Sequence, residues 1–501
     1  MPSPLVPTRT ARALLAGPWA LLLASSVLYF FSINEADNDL LGHLLFGNNI
    51  LAHGAVGRVD TYSYTVAGQP WVNHEWLSQV VLAAVYQWAG SPGLLLLKFA
   101  IATLTFLLLF SMIRRRSPTP YVWGGVGLLA IAVLARGFSI RPQIFTYCGA
   151  ALTLWLIDRY RHGQPRALWL CPLMFVVWAN LHGGFILGLG ILGFFACADL
   201  LGGAERSWQP WLALLASVAV TMLNPNGPHL LFFVWNELSR THPITEWQRA
   251  APTDVAQFVF FAMFVALALT LPLRRQWRAD GWEAMLALGV GVLALRHQRH
   301  TPVFALCATA PLAAQLEQTK NWFAERTAFV LSVAAQRIVG GGIAVLAVLQ
   351  LSLTGARVWR DGLQIIFDPR DYPVAAVQAL RQGGAWVNLA VPLEWGEYVL
   401  WFLAPQVKVS LDGRFATVFP EQVVEDNFAF FTGAPEWRRL LEQYPTEAVL
   451  LPTEWPSPIR REPGWQRVYG DAVAEIYVRS ERAEALRTRA QPAAAEAGVF
   501  P

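Results

Sequence analysis

The sequence predicts a polytopic α-helical membrane protein with a small α/β domain near its C-terminal end. Apolar residues make up 55% of the 501 residues and charged residues only 14%, unlike a soluble domain. Apolar runs suited to crossing about 30 Å of hydrocarbon recur from Leu14 to Leu353. Because backbone polar groups find no water in lipid, these runs are expected to be helices.

About eleven spans are predicted, with boundaries uncertain by about four residues. They cover residues 14–33, 93–113, 121–135, 143–157, 167–180, 185–201, 208–222, 256–273, 283–295, 302–316 and 328–353. Arginine is concentrated in alternate loops, for example in Arg114, Arg115 and Arg116, and is sparse in the longer loops between them. The positive-inside rule therefore predicts a cytoplasmic N-terminus in a bacterial inner membrane, with the chain after Leu353 in the periplasm.

The apolar pattern changes after the last span. Strand-like runs at 407–411, 448–451 and 474–478 alternate with helical runs at 372–381 and 435–444. The predicted domains are a transmembrane domain over 1–355 with long external loops at 34–79 and 223–255, a periplasmic α/β domain over 356–480, and a disordered tail over 481–501.

The first long loop collects titratable residues. A helix over residues 40–52 is expected to lie along the membrane surface, with Asp39 just before its first turn and His43 on the same face as Asp39. The loop also contains Asp37, Asp60, His74 and Glu75, with Trp71 and Trp76 as expected interfacial anchors. Of the loop residues, His43, Asp60 and His74 are expected to bind substrate. A carboxylate here suits a base that takes a proton from an attacking hydroxyl. The alternative is a helix cap with solvated loop charges.

Basic and polar residues in other external loops are candidates for holding a phosphate or a sugar. They are Arg136, Arg141, Asn180, His182, Glu246, Arg296 and Arg299. If the helix before Arg296 continues, Arg296 and Arg299 point to one side and share the phosphate of a lipid; a plain headgroup anchor is the alternative. His182 fits a ligand donor and a satisfied residue in a tight turn equally well.

Two motifs in the C-terminal domain are more ambiguous. Asp412-Gly413-Arg414 follows a strand-like run, and a structural turn with an internal ion pair is favoured over a binding role. Trp395-Gly-Glu397-Tyr398 allows either interpretation.

The first loop resembles that of the GT-C membrane glycosyltransferases, which include oligosaccharyltransferases, protein O-mannosyltransferases and aminoarabinose transferases. The similar residues are Asp39-Leu-Leu-Gly-His43-Leu44, followed by His53-Gly54 and Asp60. The resemblance implies a GT-C-like fold in which Asp39, or Asp37, is the functional acid. The next external loop, 136–142, has no carboxylate, unlike the metal-dependent members. We therefore expect no cofactor, a divalent metal being doubtful, and arginines that neutralise the phosphate.

The predicted function is transfer of a sugar from a polyprenyl-phosphate or polyprenyl-pyrophosphate donor to a periplasmic glycan, lipid or protein. The expected catalytic residues are Asp39, Asp37 and Glu75, and the expected partners are the donor, the acceptor and membrane lipids. The alternative is a non-catalytic carrier, flippase or assembly partner for lipid-linked sugars. A carrier is expected to show ionisable groups in mid-span and repeat symmetry, and the sequence shows neither. The formal charge of +4 predicts no nucleic-acid partner.

Overall fold

The structure, a computed structural model, describes residues 9–202, 207–237, 247–273, 277–327, 332–384 and 386–483. The chain divides into two compact units, each made of two separate stretches. Unit 1 comprises Met1–Ile33 and Leu95–Leu363, and unit 2 comprises Asn34–Leu94 and Gln364–Pro501. The first long loop, which the sequence analysis grouped with the spans, thus belongs to the same unit as the C-terminal region. The predicted tail lies almost entirely outside the described residues.

Unit 1 is helical. Its helices are α1 (Arg9–Phe31), the second part of α3 (Trp76–Arg116), α4 (Pro120–Ala135), α5 (Gln143–Arg161), α6 (Leu170–Leu181), α7 (Phe185–Gly202), α8 (Gln209–Val220), α9 (His229–Glu237), α10 (Val255–Thr270), α11 (Trp277–Arg296), α12 (Thr301–Thr327) and α13 (Val333–Asp361). All of the predicted spans coincide with helices of this set. The helix prediction is therefore confirmed.

Membrane-crossing length is a stricter condition than helicity. Among the described residues, three helices are long and apolar enough to cross a membrane, namely Leu14–Phe31, Trp76–Arg116 and Val333–Asp361. Five further apolar helices are shorter: Pro120–Ala135, Pro165–Leu181, Phe185–Leu201, Gln209–Val220 and Val255–Thr270. The helices and their apolar faces are those of a membrane protein, while the number of crossings stays a prediction.

The first and last helices of unit 1 pack together. Leu22 of α1 forms an apolar cluster with Ile343 and Ala347 of α13. Next to these apolar contacts, the hydroxyls of Ser25 and Ser26 donate to Oε1 of Gln350 at 2.8 and 3.0 Å. Because these polar side chains bond to each other between the helices, the α1–α13 contact has paired polar groups within an apolar surface.

Unit 2 combines the first loop with a small sheet. Its helices are α2 (Leu40–His53), the beginning of α3, α14 (Val374–Gly383), α15 (Leu393–Leu403), α16 (Glu421–Thr432) and α17 (Arg439–Glu442). Its strands are β1 (Val387–Ala390), β2 (Val407–Val409), β3 (Ala448–Pro452), β4 (Trp465–Gly470) and β5 (Ala474–Arg479). The strand order is β2-β1-β3-β5-β4; β1 is parallel to β2 and β3, and β5 is antiparallel to β3 and β4.

Helix α2 begins where the sequence predicted, directly after Asp39. Its apolar face, however, is covered by protein, since Leu40, Leu41, Leu44 and Phe46 are each at most 1% exposed. This face therefore packs against protein, and the position of the helix along the membrane surface stays a prediction.

Candidate functional site

A buried arginine, Arg414, occupies the centre of unit 2 between two aspartates. Its Nη1 lies 2.6 Å from Oδ1 of Asp60, and its Nε and Nη2 donate to Asp412 at 2.9 and 2.7 Å. The rings of Phe46, Tyr62, Trp71 and Phe419 lie around the guanidinium, with centroids 4.9–5.7 Å from it. Burial alone lowers the pKa of Arg414, but the two aspartates outweigh it and raise that pKa above its ordinary value.

The surroundings of Arg414 bear on the predictions for the Asp412-Gly413-Arg414 turn, for Asp60 and for Trp71. The internal ion pair expected in Asp412-Gly413-Arg414 is confirmed. Asp60 was expected to contact substrate, yet it is 1% exposed, and its Oδ2 accepts the hydroxyl of Ser63 at 2.7 Å. Trp71, expected at the membrane interface, is 6% exposed because it packs against Arg414. Asp60 and Arg414 thus hold the loop to the C-terminal region.

A second pair of acids lies close by. Glu397 of α15 is 2% exposed, and its Oε2 accepts the backbone N–H of Gly42 at 3.1 Å. A Cβ built on Gly413 lies 2.6 Å from Oδ1 of Asp39 and 2.7 Å from Oε1 of Glu397. The half-buried Asp39 and the buried Glu397 therefore approach each other above Gly413.

Three glycines allow this approach. A Cβ on Gly42 overlaps the Glu397 carboxyl group, one on Gly413 lies within 3.0 Å of both acids, and one on Gly396 meets the backbone of Asp412 at 2.8 Å. Each of these contacts is closer than real Cβ atoms show. Helix α2, helix α15 and the turn at Gly413 therefore meet only because none of the three carries a side chain at that point.

The electrostatics of the pair follow from its burial. Burial, then the negative charges of Asp39 and Asp412, raise the pKa of Glu397 well above its ordinary value, with Arg414 acting in the opposite sense. Glu397 therefore keeps its proton at pH values at which an ordinary glutamate has released it. The result is a half-exposed carboxylate next to a neutral acid, which is suitable for accepting a proton.

Tyr372 and Asp37 adjoin this pair. The hydroxyl of Tyr372 donates to Oδ1 of Asn38 at 2.7 Å, and Oδ1 of Asp37 accepts the backbone N–H of Asp39 at 3.2 Å. Burial, followed by Asp37 and neighbouring acids, raises the pKa of Tyr372 above its ordinary value. The structure thus brings together the two residues between which the resemblance left the functional acid open.

The other candidates in the loop take separate positions. His43 is 8% exposed on α2, and its backbone N–H donates to the carbonyl of Asp39 at 3.1 Å. His74 and Glu75 pair with each other just before α3, with Nε2 and Oε1 3.6 Å apart. Glu397, by contrast, was not among the predicted site residues, although its motif was noticed in the sequence.

In unit 1, Arg136 has an acidic partner that the sequence analysis did not foresee. Its guanidinium bonds to Asp254 and, through Nη2, to Gln298 at 3.0 Å. Asp254 begins α10, where it accepts the N–H of Gln257 at 2.9 Å. Burial raises the pKa of Asp254, but the bonds from Gln257 and Arg136 outweigh it and lower that pKa. Arg141, in the same loop, is half-buried, and its N–H donates to Ser139 at 3.0 Å.

The turn between α6 and α7 contains two further candidates. The amide of Asn180 donates to the carbonyls of Val176 and Leu223 at 2.8 and 2.9 Å. Nδ1 of His182 accepts the N–H of Gly184 at 2.9 Å, which places the proton of the neutral ring on Nε2. These bonds fit the tight-turn interpretation of the segment.

The basic cluster is arranged differently from the expectation. Helix α11 ends at Arg296, which is exposed, and His297 is extended, so Arg296 and Arg299 do not continue one helical face. The Arg299 guanidinium lies 4.5 Å from the ring centre of Trp247. Burial, then Arg299 and His297, lower the pKa of His300 to about 4. Glu246 lies outside the described residues.

Within the described parts of the chain, no three His, Cys, Asp or Glu side chains are placed to hold a metal ion. The long apolar helices among the described residues are those of a membrane protein.

Two solved structures are similar to this chain. The oligosaccharyltransferase of Archaeoglobus fulgidus, solved with a tethered acceptor peptide containing the NVT sequon, has a TM-score of 0.55 at 12% identity, over 87% of this chain and 69% of that one. Arabinofuranosyltransferase AftD from Mycobacteria has a TM-score of 0.47 at 15% identity, over 92% of this chain and 41% of that one. No protein-family model and no curated protein matches the sequence. At 12% identity, the likeness to the first of these structures establishes the fold, which is that of the GT-C glycosyltransferases.

Proposed function

We propose that this protein is a membrane glycosyltransferase that moves a sugar from a polyprenyl-phosphate or polyprenyl-pyrophosphate donor to a periplasmic glycan, lipid or protein. The observation that supports it most is the half-exposed Asp39 carboxylate held beside the buried, protonated Glu397 in the first loop. The fold shared with an oligosaccharyltransferase adds to it. The proposal needs no metal ion.

Asp39 is the proposed base. It takes a proton from the acceptor hydroxyl or amide as the acceptor atom bonds to the anomeric carbon. The bond from that carbon to the phosphate oxygen breaks, and the phosphate leaves with the electron pair. A neutral Glu397 adds no second negative charge, so Asp39 keeps the charge that accepts the proton. The exposed Arg296 and the stacked Arg299 are the proposed phosphate partners.

The orientation is also a proposal, which the arginine distribution supports. The N-terminus is placed in the cytoplasm of a bacterial cell and unit 2 in the periplasm. Alkaline phosphatase fused after Arg357 is expected to be active, whereas a fusion after Arg116 is expected to be inactive. Activity of the Arg116 fusion alone would place the first loop in the cytoplasm and remove the basis for a periplasmic acceptor.

The test of the activity compares two acids of one loop. Asp39→Asn keeps the side-chain shape and removes the base, so turnover is expected to fall roughly 10²-fold while donor binding is retained. Glu35→Gln, at an exposed acid four residues earlier, is the matched control and is expected to turn over normally. The measurement is donor binding and transfer in nanodiscs with labelled polyprenyl-phosphate sugars. Normal transfer by folded Asp39→Asn protein would exclude this base and favour the non-catalytic alternative.

A further inference from the structure

An open groove lies on unit 1 where α5 ends and α6 begins. Its volume is about 490 Å³, within the usual size of small-molecule sites of roughly 300–1,000 Å³. The lining residues are Trp155, Leu156, Arg159, Gln164, Pro165, Arg166, Ala167 and Leu170. The floor is thus mostly apolar, and two guanidinium groups border it. No predicted catalytic or substrate-binding residue lies in this groove.

Neither Arg159 nor Arg166 has an acidic partner among the described residues. Arg159 is oriented by a bond from its Nε to Oε1 of Gln164 at 2.9 Å and lies 5.2 Å from the ring centre of Trp155. The adjacent acid, Asp158, is occupied elsewhere, since Arg115 and Arg116 donate to it at 3.1 and 3.3 Å. The groove is therefore a positively charged rim above an apolar floor.

An apolar stripe continues from this groove along α6. Leu170, Leu173 and Val177 are 51%, 67% and 50% exposed, and their spacing of three and four places them on one helical face. Trp169, at the start of the stripe, is 46% exposed, a position typical of an aromatic ring at a membrane interface. A ligand of the groove can thus extend an apolar chain along α6.

We propose that this groove binds an anionic glycerophospholipid of the membrane, with Arg159 and Arg166 on its phosphate and an acyl chain along Leu170, Leu173 and Val177. The charge of the rim fits the phosphate, and a planar guanidinium can donate two parallel hydrogen bonds to phosphate oxygens. Basic pockets beside membrane helices bind such headgroups. The site depends on the protein lying in a membrane and is independent of the proposed glycosyl transfer.

The test uses the full chain in detergent with photoactivatable phosphatidylglycerol, followed by mass-spectrometric mapping of the labelled peptide. Labelling is expected within residues 155–177. Each arginine near an anionic lipid contributes a roughly fivefold gain in affinity, so the double variant Arg159→Gln with Arg166→Gln is expected to lose about 25-fold. Arg114→Gln is the matched control, because Arg114 is exposed like Arg166 and lies over a tryptophan like Arg159, 5.0 Å from the ring centre of Trp123.

Three outcomes would overturn the proposal. One is equal labelling by photoactivatable phosphatidylcholine, which lacks net charge. A second is an equal loss in Arg114→Gln, which would indicate a general surface effect. A third is complete competition by inorganic phosphate at the same concentration as the lipid, which would show that the acyl chain is not recognised. The variant Arg159→Lys with Arg166→Lys keeps the charge and is expected to retain part of the labelling, which separates lost binding from lost folding.

Discussion

Unit 2 buries carboxyl groups in two neighbouring places, and their negative charge is reduced by a different means in each. Around Asp60 and Asp412 an arginine, Arg414, supplies the opposite charge and the aromatic rings close around it. In the pair Asp39 and Glu397, a proton retained on Glu397 removes one negative charge, because burial and the neighbouring acids raise the pKa of Glu397. The first group has an arginine between its two acids and holds the fold. The second keeps an exchangeable proton beside a half-exposed carboxylate, as a reactive site requires.

The largest expected effect comes from removing the arginine. Arg414→Met leaves Asp60 and Asp412 buried without an opposite charge, which costs roughly 3–5 kcal/mol for a buried pair. Thermal unfolding in detergent should show a large loss of stability or no folded protein. Arg370→Met is the control, since Arg370 is 87% exposed in its pair with Asp368 and its loss is expected to leave the melting temperature unchanged.

A triple variant tests whether the stability lost in Arg414→Met is due to the unpaired charges. Adding Asp60→Asn and Asp412→Asn to Arg414→Met removes all three charges, so much of the lost stability is expected to return. If the triple variant is as unstable as Arg414→Met, the packing of the guanidinium against the rings, and not its charge, holds the centre of unit 2.

A smaller effect is expected from Glu397→Gln, and it depends on pH. Because the folded-state pKa of Glu397 is raised, the folded protein holds a proton that the unfolded chain releases above the ordinary value of 4.5. The wild-type protein should therefore lose stability as the pH rises above 4.5, towards the raised pKa. Glu397→Gln cannot ionise and should lose less over the same range. Glu394→Gln, at an exposed acid of the same helix, should follow the wild type.

Melting temperatures across a pH series are the measurement for this comparison. If wild type and Glu397→Gln show the same pH dependence, Glu397 is not the group that holds the proton. The variant also retains an oxygen for the N–H of Gly42, so a change in pH dependence reports the proton and not the lost hydrogen bond.

The smallest expected effect is that of chelation. If a proton compensates the Asp39 and Glu397 pair, transfer activity should be unchanged in EDTA. Loss of activity, with recovery on adding manganese or magnesium, would show that a metal ion occupies the position of the proton and that Asp39 is a ligand. Calcium, which prefers more oxygen ligands, serves as the comparison ion in the recovery step.

Local patterns predicted the elements of this molecule well. The helical spacing of apolar residues after Asp39 predicted where α2 begins. The apolar runs at 407–411, 448–451 and 474–478 correspond to β2, β3 and β5. Strands β1 and β4 were not predicted. Strand β1 has only four residues, and β4 is an edge strand whose exposed residues break the apolar pattern.

The site could be predicted only in part, because its pairs are remote in sequence. Asp39 and Asp37 were found from their position after the first span. Glu397 was missed as a site residue because no local period relates it to Gly42, 355 residues away. Arg136 was expected to face a phosphate for the same reason, since its partner Asp254 is 118 residues farther along. Asp60 was taken for a surface acid because its arginine lies in the other stretch of unit 2.

The bond between Gly42 and Glu397 also has a consequence for how the protein is made. The two residues are 355 positions apart, so at roughly 5–20 residues per second the first leaves the ribosome about 20–70 s before the second. During that interval Arg414, the partner of Asp60, has not yet been synthesised. Helix α15, which packs against α2, is missing as well. The first loop therefore cannot complete its packing until residues 364–483 have been synthesised.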